Sequence, residues 1–200
     1  MTSRIILLLN HNFDSIKTTS DLTYKFKQLT ELGFENIAVS SALALRLFQQ
    51  EIKLDGLLLK AICYSNDFEA DKLKLYVECH HEYNCNLALT LGENSSKFKL
   101  LANEFVKMGL KVESCLTSLD DQDKMDLNNF SLFKSPLGFN PIPMQAKLLE
   151  ETKEVKRLID KFLKLNINSY LLIDFPDLNV VDLLKQAKDN LNRLYFLQTR

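Results

Sequence analysis

A chain of 200 residues that is 46% hydrophobic and 26% charged is long enough to bury one sizeable core and short for two, so one domain over 1–200 is expected. Twenty-five Lys and Arg against 26 Asp and Glu leave a net charge of −1, which excludes a global field drawing in nucleic acid or an acidic membrane. No apolar run approaches the ~18–20 residues of a spanning helix, and Ile5–Leu9 is too short for a signal-peptide core. A cytoplasmic protein without a membrane or nucleic-acid partner follows, with Cys63, Cys79, Cys85 and Cys115 as thiols.

Arg4–Asn10 contains Ile-Ile-Leu-Leu-Leu, apolar on both faces as a strand inside a sheet must be. After the polar stretch His11–Ser20, the spacing of Leu22, Phe26 and Leu29 predicts a helix ended by Gly33 as a left-handed cap. Asn36–Ser41 is a second strand, and Ser40 or Ser41 can cap a helix carrying Leu45, Phe48 and Ile52. Gly56–Ser65 is the third strand; Asn66 and Glu69 resemble a capping box before a helix with Leu73, Tyr76, Val77 and His80 in one stripe. Asn86–Gly92 is the fourth strand, Phe98, Leu101, Phe105 and Met108 mark a helix stopped by Gly109, and Leu110–Thr117 is the fifth strand.

Regularity breaks at about 118–143, where an acidic run and Pro136, Pro141 and Pro143 point to an irregular insertion, with Phe130–Phe133 as an optional extra strand. Pro143 suits the first turn of a long helix, 143–165, with Leu148, Val155, Leu158, Ile159, Phe162 and Leu165 at near-helical spacing. Ser169–Asp174 is the sixth strand, a last helix carries Val180, Leu183, Leu184, Ala187, Leu191 and Leu194, and Leu194–Thr199 can add a strand. The alternation predicts an α/β fold: a mostly parallel sheet of six or seven strands with helices on both faces. A small or incomplete TIM-like barrel is the alternative.

In either architecture the strand carboxyl ends share a rim where ligands bind. That rim collects His11, Asn12 and Asp14 after strand one, Ser40 and Ser41 after strand two, and Ser65, Asn66 and Asp67 after strand three. Glu93 and Asn94 follow strand four, Thr117 and Ser118 strand five, and Asp174 ends strand six. His11 can serve as general acid or base, with Asp14 and Asp174 orienting it, while Asn12, Ser41, Ser65, Asn66, Glu93 and Asn94 supply ligand contacts. Asn, Asp and Ser here are also what helix caps and turns require.

Other constellations carry less. Gly92–Lys97 is neither a P-loop nor a Gly-x-Gly-x-x-Gly fingerprint, and no cofactor is expected. In Cys79–Cys85, His81 and Cys85 would share a helix face, giving half a metal site with no paired spacing elsewhere; no metal is expected, with His80 on the apolar stripe and His81 solvated. Lys60 interrupts an apolar strand, as a Schiff-base lysine or a snorkelling side chain would.

The opening strand–helix–strand resembles metal-dependent barrel phosphoesterases of the polymerase and histidinol phosphatase type, which place His-x-His after the first strand. This chain reads Asn10-His11-Asn12 there, and Ser40-Ser41 stands where that family has Asp-His. The family's metal ligands are missing, so membership does not follow.

Three functions remain open: an enzyme, such as a hydrolase or transferase, acting on a small polar metabolite at the rim; a non-catalytic assembly subunit using helix 143–165 against a protein partner or a second copy; and a domain that binds a nucleotide or another phosphorylated ligand without turnover.

Overall fold

The computed structural model describes residues 5–9, 11–64, 69–91, 103–109, 112–117, 140–145, 169–174, 185 and 189; for His11, Asn12 and the strands from residue 86 onward it describes the backbone. In chain order these residues form β1 (Ile5–Leu9), α1 (His11–Asp14), α2 (Thr19–Glu31), β2 (Asn36–Ser40), α3 (Ser41–Gln49), β3 (Leu58–Tyr64) and α4 (Leu73–Tyr83). They continue with β4 (Asn86–Leu91), β5 (Val112–Thr117), β6 (Asn140–Gln145) and β7 (Ser169–Asp174). A 3-10 turn at Ala70–Lys72 leads into α4, and residues 103–107 are helical.

The strands make one parallel sheet in the order β5-β4-β3-β2-β1-β7-β6. Its two outermost strands are consecutive in the chain, and their Cα atoms approach within 8 Å, so the neighbour relation runs in a ring. A doubly wound sheet reverses its direction of growth at a switch point. This order grows steadily from β1 to β5, so right-handed crossovers send the connecting helices to one face.

Register separates two faces of different bulk. Tyr64 packs edge-on against Tyr76 of α4, with ring centroids 5.1 Å apart, and identifies the helix-bearing face. On that face Leu9, Val39 and Ile62 form a row of large buried residues, and their backbone register continues to positions 87 and 112. One residue along, on the opposite face, Ser40 and Cys63 are small, and their backbone register continues to positions 88 and 114. Ile6, Ala38, Ala61 and Cys63 cluster on this second face, with Leu8 against them.

Two charged residues inside strands occupy bulges. Ile37 pairs with Leu59 while Ala38 pairs with Ala61, so Lys60 is the extra residue in β3. Leu87 and Ala88 likewise pair with Val112 and Ser114, leaving Glu113 extra in β5. The bulge accounts for Lys60 in an otherwise apolar run without a catalytic role.

β6 corrects the expected helix start. Pro143 lies inside a strand that keeps unbroken register with β7 from Asn140 to Gln145. Alternate residues of a parallel strand direct their N–H groups to opposite neighbours, so the ladder with β7 uses Ile142 and Met144. Pro141 and Pro143 fall on the other side, facing β5, where a missing donor costs no ladder bond. The remainder of the expected helix, the segment 118–139 with Phe130–Phe133, and the strand 194–199 lie outside the described residues. Lys185 and Asp189, four apart in the expected last helix, are helical and exposed.

The helices follow their patterns in part. Leu22, Phe26 and Leu29 are the buried residues of α2, and Gly33, at φ +89°, bonds Thr30 O while Phe34 N reaches Leu29 O. In α3 Ser41, Leu43, Ala44, Leu45 and Leu47 are buried; of the expected stripe Leu45 is buried in the helix, Ile52 is buried just beyond its end, and Phe48 is half-buried. Glu69 forms an ion pair with Lys72 at 2.6 Å, and α4 has no side-chain cap. Met108, expected in a stripe with Phe105, is 37% exposed.

The two faces give a direct test. Ile62→Ala, beneath the helices, should lower stability by about 2–4 kcal/mol in urea denaturation. Cys63→Ala, one residue along on the small-residue face, should cost far less.

Candidate functional site

Parallel strands bring every carboxyl end to one edge, the expected rim. α1 sits on it directly after β1 and is held from two sides. Phe13 is fully buried and stacks on Phe26 with centroids 6.2 Å apart. Asp14, next to it, is exposed and accepts from the Ser40 hydroxyl at 3.0 and 3.1 Å to its two oxygens. His11 and Asp14, three apart, share a face of this single turn.

Ser40 performs two tasks with one oxygen. Its backbone is extended (φ −61°, ψ 157°), and its Oγ accepts from Leu43 N at 3.1 Å, capping α3. The hydroxyl hydrogen then goes to Asp14, which ties the end of β2 to the turn after β1. Held by Ser40, the exposed Asp14 carboxyl is suited to orient an imidazole or a cationic or hydroxyl ligand group.

The structure gathers some expected site residues and separates others. His11, Asn12 and Asp14 lie together on α1, beside Ser40. Asp174 ends β7 on the same edge, beside Gln145 in register and one residue past the Leu7–Ile173 pair. Gln145 is absent from the sequence-based site because the pattern places it in a helix; among the described residues its register with Asp174 brings it to the rim. Ser41 is 8% exposed and bonds the Tyr76 side chain, so it faces the helix layer. Ser65, Asn66, Asp67, Glu93, Asn94 and Ser118 lie outside the described residues; Thr117 ends β5.

A second polar group lies on the helix-bearing side. His80, 3% exposed, has Nδ1 3.1 Å from the Cys85 carbonyl and Nε2 2.9 Å from the Tyr64 hydroxyl. A carbonyl can only accept, so Nδ1 carries the proton and Tyr64 donates to Nε2. Burial lowers the His80 pKa from 6.5 to about 4, with a small opposing effect of the Cys85 carbonyl and a small lowering by His81. Burial raises Tyr64 well above the usual phenol range and pushes Cys85 up to about 12, so neither is a ready nucleophile.

His81 is exposed, as the sequence pattern predicts. Cys85 does not continue the helix: Asn84, at φ +45°, turns the chain, and the Cys85 thiol lies 3.4 Å from His80 Nδ1. Among the described residues no group of three His, Cys, Asp or Glu is arranged to hold a metal, and no helix is long and apolar enough to cross a membrane.

This geometry defines a parallel α/β protein with a polar rim at its strand carboxyl ends. The chain is similar to a solved structure described as "Putative aldo-keto reductase from Pseudomona aeruginosa", with a TM-score of 0.53 over 94% of this chain and 90% of that one. Sequence identity is 11%, so the likeness shows the fold alone. No family model matches the chain, and no curated protein matches it in sequence.

Ser40→Ala removes the α3 cap and the Asp14 partner together and should cost about 1–2 kcal/mol in chemical denaturation, with Ser40→Thr restoring most of it. His80 gives a pH signature. The unfolded chain takes up its proton below about 6.5 and the folded chain only below about 4, so its contribution is complete above 6.5 and fades as pH falls towards 4. Denaturation at pH 7 and pH 4.5 should show a loss of up to about 3 kcal/mol from this residue, absent in His80→Phe.

Proposed function

We propose that this chain is a small parallel barrel that binds a small polar metabolite at the mouth formed by its strand carboxyl ends, and that it acts there as an enzyme. The observation that carries the reading is the set of small residues Ala38, Ser40, Ala61 and Cys63 that β2 and β3 place on the face away from the helices. Bulky branched residues ordinarily fill a barrel interior. Small ones below the rim leave room for a ligand. The ring of strand neighbours and the likeness to a protein named as an aldo-keto reductase support the barrel, the form in which sites lie at this end.

In this reading His11 is the acid or base, Asp14 and Asp174 orient it or the substrate, and Asn12 and Gln145 donate hydrogen bonds. Carboxylates and amides predominate over fixed cations among these residues, which favours a hydroxyl- or amine-bearing substrate over a phosphate ester.

Thermal-shift screening against polyols, sugars, amino acids, nucleotides, sugar phosphates and divalent ions tests the reading, since a specific ligand raises apparent stability. A hydroxylated or amine ligand should raise the midpoint, and Asp14→Asn and Asp174→Asn should abolish that shift. His11→Ala should retain binding and lose turnover. A phosphate ester as the sole hit, or shifts unaffected by both Asp variants, would refute this site.

A further inference from the structure

The segment after α1 is bonded to α3 by a residue outside the proposed contact set. Arg46, half-buried in the last turn of α3, donates from one guanidinium nitrogen to the Ile16 carbonyl and from another to the Lys17 carbonyl at 2.9 Å. Its Nε reaches the Gln50 side-chain oxygen at 3.4 Å, and that oxygen also accepts from the Thr19 hydroxyl at 3.1 Å. Arg46 and Gln50 thus hold the 16–19 connection between α1 and α2. Ser40, at the opposite end of α3, holds Asp14.

α1 is four residues long, too short to be stable by its own hydrogen bonds. Ile16 N donates to Phe13 O at 3.1 Å, closing the turn, but beyond Phe13 the segment has little apolar anchorage: Asp14, Ser15, Lys17 and Thr18 are exposed. Its position must come from outside. A planar fork that meets two successive carbonyls fixes both position and orientation, which a single ammonium cannot do.

We propose that Arg46 is a positioning residue for the rim site, setting through the Ile16 and Lys17 carbonyls where α1 presents His11 and Asp14. This deepens the binding-site reading and rests on it for its functional meaning, although the clamp can be tested without any ligand.

Amide hydrogen exchange on the full chain is the measurement, with the Ile16 amide as reporter. Arg46→Ala should speed exchange at residues 13–18 by about tenfold or more while amides of β3 and α4 keep their parent rates. The Asp14 carboxyl carbon, followed by NMR, should change chemical shift in that variant as its alignment with Ser40 loosens. Arg46→Lys should restore exchange protection only in part. Unchanged exchange at Ile16 would overturn the proposal, and so would uniform acceleration through β3 and α4, which marks a general loss of stability. If Arg46→Ala does not fold, Arg46→Lys and Gln50→Ala carry the same comparison. A blank ligand screen with the exchange result intact would refute the binding site and leave the clamp standing.

Discussion

The arrangement depends on all seven strands pointing the same way. A parallel neighbour can be reached only by a crossover, and each crossover delivers the chain to the same starting edge. The opposite edge therefore gathers, from segments more than a hundred residues apart, Asp14 after β1, Ser40 at the end of β2 and Asp174 at the end of β7. No local motif is needed to assemble them. The same constraint explains why the sequence carries no contiguous signature of a site.

The second determinant is unequal bulk on the two faces. Leu9, Val39 and Ile62 are fully buried beneath the helices and supply the apolar area that holds helix to sheet. On the other face Ala38, Ala61 and Cys63 contribute little volume, and the bulk there comes from Ile6 and Leu8 of β1. Bulges preserve this division. Without the extra residue at Lys60, the stretch 61–64 would shift by one position and Ile62 and Tyr64 would leave the helix face. The buried Tyr64–His80 bond and the edge-on contact with Tyr76 then fix the end of β3 against α4.

Much of this was legible because apolar runs closing on a polar residue are strands with both faces covered, and Gly33 and Gly109 punctuate the helices before them. All six such runs coincide with strands to within two residues at either end. β6 was illegible because Pro141 and Pro143 break the usual strand composition, and only the position of the strand beside β7 makes them harmless. α1 was hidden because four residues show no periodicity. Sequence could offer Ser40 and Ser41 as equivalent caps, but one residue of phase sends the first to Asp14 and the second to Tyr76. The rim was legible as a list of polar exits; which of them meet was not, since that depends on register.

The seam between β5 and β6 joins these observations. Two prolines at alternate positions remove the N–H groups that β6 would direct to β5, and among the described residues these two strands lie near one another without a ladder between them. Unpaired strand edges invite pairing with other chains, and proline is a standard protection against it. The same substitution that ends the ladder on one side leaves the other intact, so Gln145 remains in register with Asp174 and β7 remains in register with β1. The carboxyl-end positions nearest α1 are consequently fixed by continuous backbone pairing through β2, β1, β7 and β6, and the discontinuity is confined to the far side of β6.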